Sequence, residues 1–542
     1  MKENQSFLTI AQAARLIEAR KLSPVELTEA LLMRVERFDS QLHAFITLTR
    51  DQAMKQARDA EAEIASGRYR GAMHGIPFGL KDIYNTAGIA TTGNSNICID
   101  NIPSEDAATT ARLYGAGGVL IGKLATHEFA HGGPSYDLPW PLPRNPWNRE
   151  HFVGGSSSGS AAAVGAGFVL GALGSDTGAS IRSPAALGGI AGLKPTYGLV
   201  SRRGVMPNSY TFDHCGPMAW TTEDCAIMLQ CLSGYDPLDP TSADRPVPDY
   251  RAALNGSLRG LRVGVIRHFW EEDLPAHPDA RKAMDDALDT LAHLGARIET
   301  TRMRSLQAYC DIKIAIAETE IFCIHRKNLI ERPGDFGDDF LRRTLPGCLF
   351  QASDYVQAQR ERSCMLEEAA RLYERFDVLV TASSGPAPRL DQYENIDFWR
   401  KPNLFTVFNV TAGPALSVCI GFSTLGLPLA MQIAGRPFDE RTVLKVGHAY
   451  ETATSWRDRR PSLLEGETPA PIVPPPTPKS PELDAPSVAL VESLARRAGL
   501  KLGERERALL LEAAPYALAM AERIRRDHNA FVEPASTFAF RA

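Results

Sequence analysis

Hydroxyls and small residues are concentrated at HFVGGSSSGSAAAV, residues 151–164 of the 542-residue chain. Three serines between glycines could form a flexible tether, cradle a phosphate or present a nucleophile. A tether keeps polar neighbours, whereas this stretch runs into AAAVGAGFVLGALG, the composition of a small-residue helix that packs closely. A phosphate loop needs a lysine behind the glycines, and none follows. The near match GGVLIGKL at 117–124 has Leu124 where a magnesium-binding hydroxyl belongs, and 119–121 read as strand. Residues 155–159 also satisfy G-x-S-x-G, the nucleophile elbow, with Ser157 as nucleophile and HGG at 131–133 imitating an oxyanion loop. An elbow requires an apolar strand leading into the serine, but NPWNREHF stands there, and no downstream His stands out as its base.

Two more stretches give the serines a context: GIPFGLKDIYNTAGIATTGNS at 75–95 and GSDTGASIRSPAALGGIAGLKPTYGLVS at 174–201. With GGSSSGS, in this order and at these separations, they resemble the amidase signature family, and the likeness extends over about residues 10–462 through RNPWN, FDHCGPM and GLPLAMQIAGRPFDERTVLKVGHAYE. The resemblance implies a serine nucleophile, Ser180, activated by Lys81 through a bridging Ser156 on a cis peptide. A serine hydroxyl attacks only once a base takes its proton, and a lysine serves as that base only when neutral. A free lysine titrates near ~10.4, so neutrality at pH 7 takes roughly 4 kcal/mol of burial. Lys81 sits between GIPFGL and Asp82-Ile83-Tyr84, a plausible buried place.

By the same resemblance the backbone amides of Thr177, Gly178, Ala179 and Ser180 form the oxyanion hole, and Asp176 and Arg182 are a supporting, orienting pair. Ala179 and Ser158 stand where the family carries glycine, and Trp220 where it commonly carries arginine, either a substrate-pocket change or packing. His127, His131, His151 and His214 lie near the motifs, but a lysine mechanism needs no His, and they read as surface or structural residues. No metal and no cofactor is implied.

Elements must hold these parts. LSPVELTEALLMRVERF opens with Ser23, Pro24 and Glu26, a capping box with Pro at the first helical position, and Leu27, Leu31 and Val35 share a face. A second helix is expected from about Asp51 to Ile64. Apolar runs at 118–122, 261–266, 377–383 and 415–422 alternate with helical patterns and read as strands. The expected fold is therefore α/β, and the resemblance makes it a large mixed central sheet covered by helices on both faces, plus a small C-terminal helical domain. The uncharged stretch 403–435 is broken by Asn409, Gly413-Pro414, Gly421, Gly426 and Pro428, so it reads as buried strands and turns, not a membrane span. The segmentation expected is an amidase domain over 1–465, a proline-rich extended linker over 466–486 and a helical tail over 487–542, with a kink or restart at Pro515.

The 44% hydrophobic content can fill a sizeable core. A net charge of −5 without dense Lys/Arg runs argues against direct nucleic-acid binding. Nine scattered cysteines, never spaced C-x-x-C, indicate neither a disulfide framework nor a zinc site, and with no signal-peptide pattern at the N-terminus the expectation is cytoplasmic. The tail resembles the small C subunit of tRNA-dependent amidotransferases and the small partner of carboxybiuret hydrolase, fused in cis. The fusion favours a self-contained hydrolase of a small polar amide or urea derivative (carboxybiuret, allophanate or guanylurea-like) acting through a serine acyl-enzyme. The alternative is the glutaminase (A-type) subunit of a tRNA-dependent amidotransferase. The expected partners are the small amide substrate and a second copy in a homodimer, with the C-terminal helices docked on an amidase body.

Overall fold

The computed structural model describes residues 5–383, 385–524 and 531–535. Among them, eleven strands make one mixed sheet: β1 (Phe45–Leu48), β2 (Pro77–Lys81), β3 (Val119–Leu124), β4 (Gly171–Asp176), β5 (Ala191–Lys194), β6 (His214–Ala219), β7 (Arg262–Val265), β8 (Arg297–Thr300), β9 (Val378–Ala382), β10 (Ala415–Phe422) and β11 (Pro428–Gly435). Their order is β1-β3-β2-β4-β6-β5-β10-β11-β9-β7-β8. The four apolar runs of the sequence fall on β3, β7, β9 and β10.

Every residue of β2, β3, β4 and β6 is buried, as expected for strands covered on both faces. β2 runs parallel to both neighbours, with Leu80 opposite Leu173 of β4. Consequently Lys81, the last residue of β2, and Ser175-Asp176, the last of β4, emerge at the same margin of the sheet. Carboxyl ends of parallel strands are where ligands bind in α/β sheets, because the loops leaving them diverge and open a crevice.

Local signals in the sequence explain several boundaries. Ser23 caps the helix Pro24–Phe38, its Oγ accepting from the amides of Val25 and Glu26. Its hydroxyl donates to Glu61, at 2.5 Å, so the reciprocal half of a capping box is replaced by a bond to the next helix, Arg50–Ala65. Residues 403–435 form a short helix, Val407–Val410, and the β10–β11 hairpin. No helix among the described residues is long and apolar enough to cross a membrane.

The tail brings one correction. Glu504–Ile524 form a single helix that continues through Pro515, so the chain does not restart there. Proline removes one backbone hydrogen bond, and the burial of Leu510, Ala513, Ala514, Ala517, Met520 and Ala521 along one face offsets that loss. This helix packs on the helices Leu306–Glu331, Asp338–Thr344 and Ala352–Arg375, while the preceding helix, Ala485–Arg497, buries Val491 and Ala495. The prolines before them lie along the body: Arg144 donates to the Ala470 carbonyl at 2.7 Å, and Ile472 packs near Leu187 and Leu390. Of the expected tail, 525–530 and 536–542 lie outside the described residues. Leu510 is fully buried, so Leu510→Ala should cost roughly 2–5 kcal/mol, read as a lower thermal midpoint and loss of the tail's amide protection.

Candidate active site

The end of β2 places Lys81 in a site wholly removed from water. Its Nζ lies 2.7 Å from Ser156 Oγ and 2.9 Å from Ser175 Oγ, both hydroxyls. Burial pushes the amine down to about 7, although Asp176 and Asp213 pull it the other way. A second buried lysine, Lys123 on β3, makes the contrast: its Nζ is 3.1 Å from Asp82 Oδ1, a carboxylate that favours the charged form. Lys81 has only hydroxyls in contact, so no touching carboxylate holds its proton.

Ser156 follows a cis peptide from Gly155. Its hydroxyl is 2.7 Å from the Ala130 carbonyl, which also accepts from Asn208 Nδ2 at 2.9 Å. That carbonyl is aimed by two non-glycine residues in the left-handed region, Phe129 (φ 48°) and Ala130 (φ 61°), a conformation that surrounding structure must enforce. The loop is anchored to the end of β3 by amides: His127 N donates to Ser156 O, and Gly159 N to Ala125 O. His127 lies flat against the loop, and a Cβ at Gly155 would collide with its ring.

Ser180 sits between β4 and the helix Arg182–Gly188. Asp176 and Arg182, both fully buried, form a double contact at 3.0 Å each. Asp176 Oδ2 also accepts from the amides of Ile181 and Arg182, while Arg182 reaches the Phe405 carbonyl, Gln432 and Asn409. Burial by itself would raise Asp176, but the Arg182 charge and hydrogen bonds outweigh it and hold the carboxyl well below the ordinary range. The pair therefore staples the turn around Ser180 to β4 and to the residues before β10. Thr177 is fixed separately, its hydroxyl donating to Asp213 at 2.6 Å. The amides of Gly178, Ala179 and Ser180 donate to no acceptor among the described residues, which leaves them available to a developing oxyanion.

These amides face a cavity of about 430 Å3 that also exposes Thr177, Ala179 and Ser180. Lys81, Ser156, Ser175 and the 177–180 turn lie together at one sheet margin. A family model described as Amidase matches residues 26–444. The chain belongs to the amidase signature family. Among similar proteins is the A-type subunit of the glutamyl-tRNA(Gln) amidotransferase of Geotalea daltonii, 38% identical over 483 residues, covering 84% of this chain and 99% of that one. A solved structure titled as a vestigial protein complex revealing the origins of an s-triazine catabolic enzyme is 30% identical, with a TM-score of 0.77, covering 82% of this chain and 98% of its own. The peptide amidase of Stenotrophomonas maltophilia is 30% identical with a TM-score of 0.73, covering 84% and 98%.

Several parts of this amidase escape its motifs. Ser175, the second hydroxyl on Lys81, sits one residue before Asp176 and carries no signal beyond that adjacency. The four histidines are all buried, so the surface reading is wrong for them. His127 and His131 line the cavity. Burial lowers His127 to about 4, leaving it neutral at pH 7, while His131 Nε2 lies 3.0 Å from Glu318. Trp220 packs under Arg457 and Arg460 and is absent from the cavity, so it is packing. Ser158 opens a helix instead of needing glycine's freedom, with its Oγ turned to the Ala125 carbonyl. The far wall comes from 306–406: Cys310, Lys313 and Ile314, then Arg343, Tyr393 and Phe398. Arg182→Ala should leave the Asp176 carboxylate buried and unpaired, at a cost of roughly 3–5 kcal/mol, read by equilibrium denaturation.

Proposed function

We propose that this amidase hydrolyses the C–N bond of a small polar amide through an acyl-enzyme on Ser180. One observation carries the reading: a buried Lys81, lowered to about 7, touches Ser156 and Ser175 beside the free amides of Gly178, Ala179 and Ser180. In this reading Ser180 Oγ attacks the carbonyl carbon, its proton passes to Ser156, and the Ser156 proton passes to Lys81. The carbonyl oxygen becomes an oxyanion met by the amides of the turn. Lys81 then returns the proton through Ser156 to the departing nitrogen, which leaves as ammonia or an amine. Water, deprotonated by the same relay, cleaves the acyl ester and frees a carboxylic acid and Ser180.

Two finer readings share that chemistry. A urea derivative of the carboxybiuret, allophanate or guanylurea kind, hydrolysed without a partner chain, is supported by the fused helical tail and by likeness to the vestigial complex that reveals the origins of an s-triazine catabolic enzyme. Glutamine as ammonia donor within a tRNA-dependent amidotransferase is supported by 38% identity spanning 99% of the Geotalea daltonii protein. The comparisons lend more weight to glutamine than to a urea derivative. Association into a homodimer and a cytoplasmic location belong to the same proposal.

Ser180→Ala should abolish ammonia release, and Lys81→Ala and Ser156→Ala should each fall by at least ~10³-fold, since members of one proton-transfer unit fail together. Normal activity in Ser180→Ala with an inactive Ser157→Ala would instead support the nucleophile elbow. Because Lys81 works as the free amine, the rate should climb as pH rises through about 7 and flatten above it. Below pH 6 it should drop roughly tenfold per unit; a rate flat from pH 5 to 8 contradicts a lysine base. Purified protein should release ammonia from a small urea derivative without ATP, tRNA or a partner. Release from glutamine alone, increased by a tRNA-binding subunit, decides for the amidotransferase.

A further inference from the structure

The Ala130 carbonyl stands where little else supports it. Glu128–Ala130 form one short turn with Phe129 and Ala130 both in the left-handed region. Ala130 also lines two voids at once, the active cavity and a second cavity of about 430 Å3 behind it. Asn208 lines the same two voids, so these two residues form part of the partition between them. Asn208 Nδ2 donates to the Ala130 carbonyl at 2.9 Å, the same oxygen that accepts from the Ser156 hydroxyl at 2.7 Å. A carbonyl oxygen has two lone pairs, so these donors fill it, and the one confines the other to the remaining side.

The Asn208 side chain is committed to that carbonyl alone. It is 3% exposed, and its Oδ1 has no hydrogen-bond partner among the described residues. Burying a primary amide with its oxygen unanswered costs on the order of 1–3 kcal/mol, a cost that a leucine of similar size would not carry. The backbone beneath it is firmly fastened: the Asn208 amide donates to Asp213 Oδ2 at 2.8 Å, beside the Ser209 amide at 3.0 Å. Asp213 Oδ1 takes the Thr177 hydroxyl at 2.6 Å. One carboxylate therefore joins the turn that begins at Thr177 to the residue that aims the Ala130 carbonyl. The amides beside Ser180 and the hydroxyl of Ser156 are thereby referred to the same point.

The Ser156 hydroxyl carries one proton and meets two groups that can take it. While Lys81 is charged its Nζ donates, and the Ser156 proton rests on the Ala130 carbonyl. Once Lys81 is neutral the proton can turn to Nζ, the direction the relay requires. Where the carbonyl oxygen stands sets the angle between these two resting places. We propose that Asn208 is a positioning residue of this amidase, fixing the Ala130 carbonyl so that the Ser156 hydroxyl stays in line between Ser180 and Lys81. The proposal rests on the amidase reading of Ser180. Hydrogen bonds weaken steeply as they bend, so a relay whose middle oxygen swings out of line transfers its proton more slowly.

The test uses the full-length protein and sulfonylation of Ser180 by phenylmethanesulfonyl fluoride, followed by mass spectrometry over a range of reagent concentrations. Asn208→Leu removes the donor at nearly constant volume, and Asn208→Asp keeps the shape but turns a second acceptor toward the carbonyl. Each should lower the limiting rate of labelling by roughly tenfold, the barrier change of one lost neutral hydrogen bond, with the half-saturating reagent concentration unchanged. In a Ser156→Ala background, where no hydroxyl is left to aim, neither substitution should slow the residual labelling further. A wild-type limiting rate in either variant, a change confined to the half-saturating concentration, a loss that follows a lowered thermal midpoint, or an equal loss with Ser156→Ala overturns the proposal. A wild-type Ser180 that the sulfonyl fluoride never labels overturns the amidase reading instead.

Discussion

The catalytic end of the sheet depends on keeping one amine dry without a carboxylate in contact to hold its proton. Three carboxylates lie close to Lys81 in the fold, and each is committed elsewhere. Asp82, the next residue, serves Lys123; Asp176 serves Arg182; Asp213 accepts from Thr177 and from the amides of Asn208 and Ser209. Only hydroxyls are left to touch the amine, and a hydroxyl can accept a hydrogen bond from the charged amine or donate one to the neutral amine. Buried ion pairs are poor contributors to net stability. Here their separate pairing has a different use, since each removes a competitor for the Lys81 proton.

Much of that arrangement was legible because it is local. Asp176, Ser180 and Arg182 lie within seven residues, and Lys81 ends a short apolar strand, so their types and spacing disclose the turn and the base. Four of the eleven strands, β3, β7, β9 and β10, were legible for a similar reason: short continuous apolar runs have few alternatives. The Ala130 carbonyl that receives the Ser156 hydroxyl was not, because nothing in HEFAHGG marks Phe129 and Ala130 for the left-handed region, where glycine is the usual occupant. The restart expected at Pro515 was misread since local chemistry favours a break there, and burial along one face of the helix offsets it.

The far wall was hidden for another reason. The helix Leu306–Glu331 is buried on nearly every side, so no single polar stripe shows which residues look into the cavity. Lys313, Glu318 and Glu320 would each pass for solvent-facing residues in a sequence. Their burial becomes intelligible only when the C-terminal helix covers the outer side, with Asp311 and Arg342 turned toward it and Lys313 and Arg343 turned inward.

The residues implied in bond breaking come from one continuous stretch of about a hundred residues, 81 to 182, whereas the surface that a substrate's far end would meet comes from 306 to 406. The two are joined by many contacts, among them His131 to Glu318, the Gly337 amide to Glu128, Asn395 to the Pro134 carbonyl and, just beyond 406, Asn409 to Asp176. A change of side chain on the second stretch therefore presses directly on the loops that hold Ser156 and Ser180, so the width of the pocket and the aim of the nucleophile are adjusted together. Gly178 marks how closely the two are fitted, since a Cβ there would stand 3.1 Å from Lys313 Cε and ask that side chain to give way.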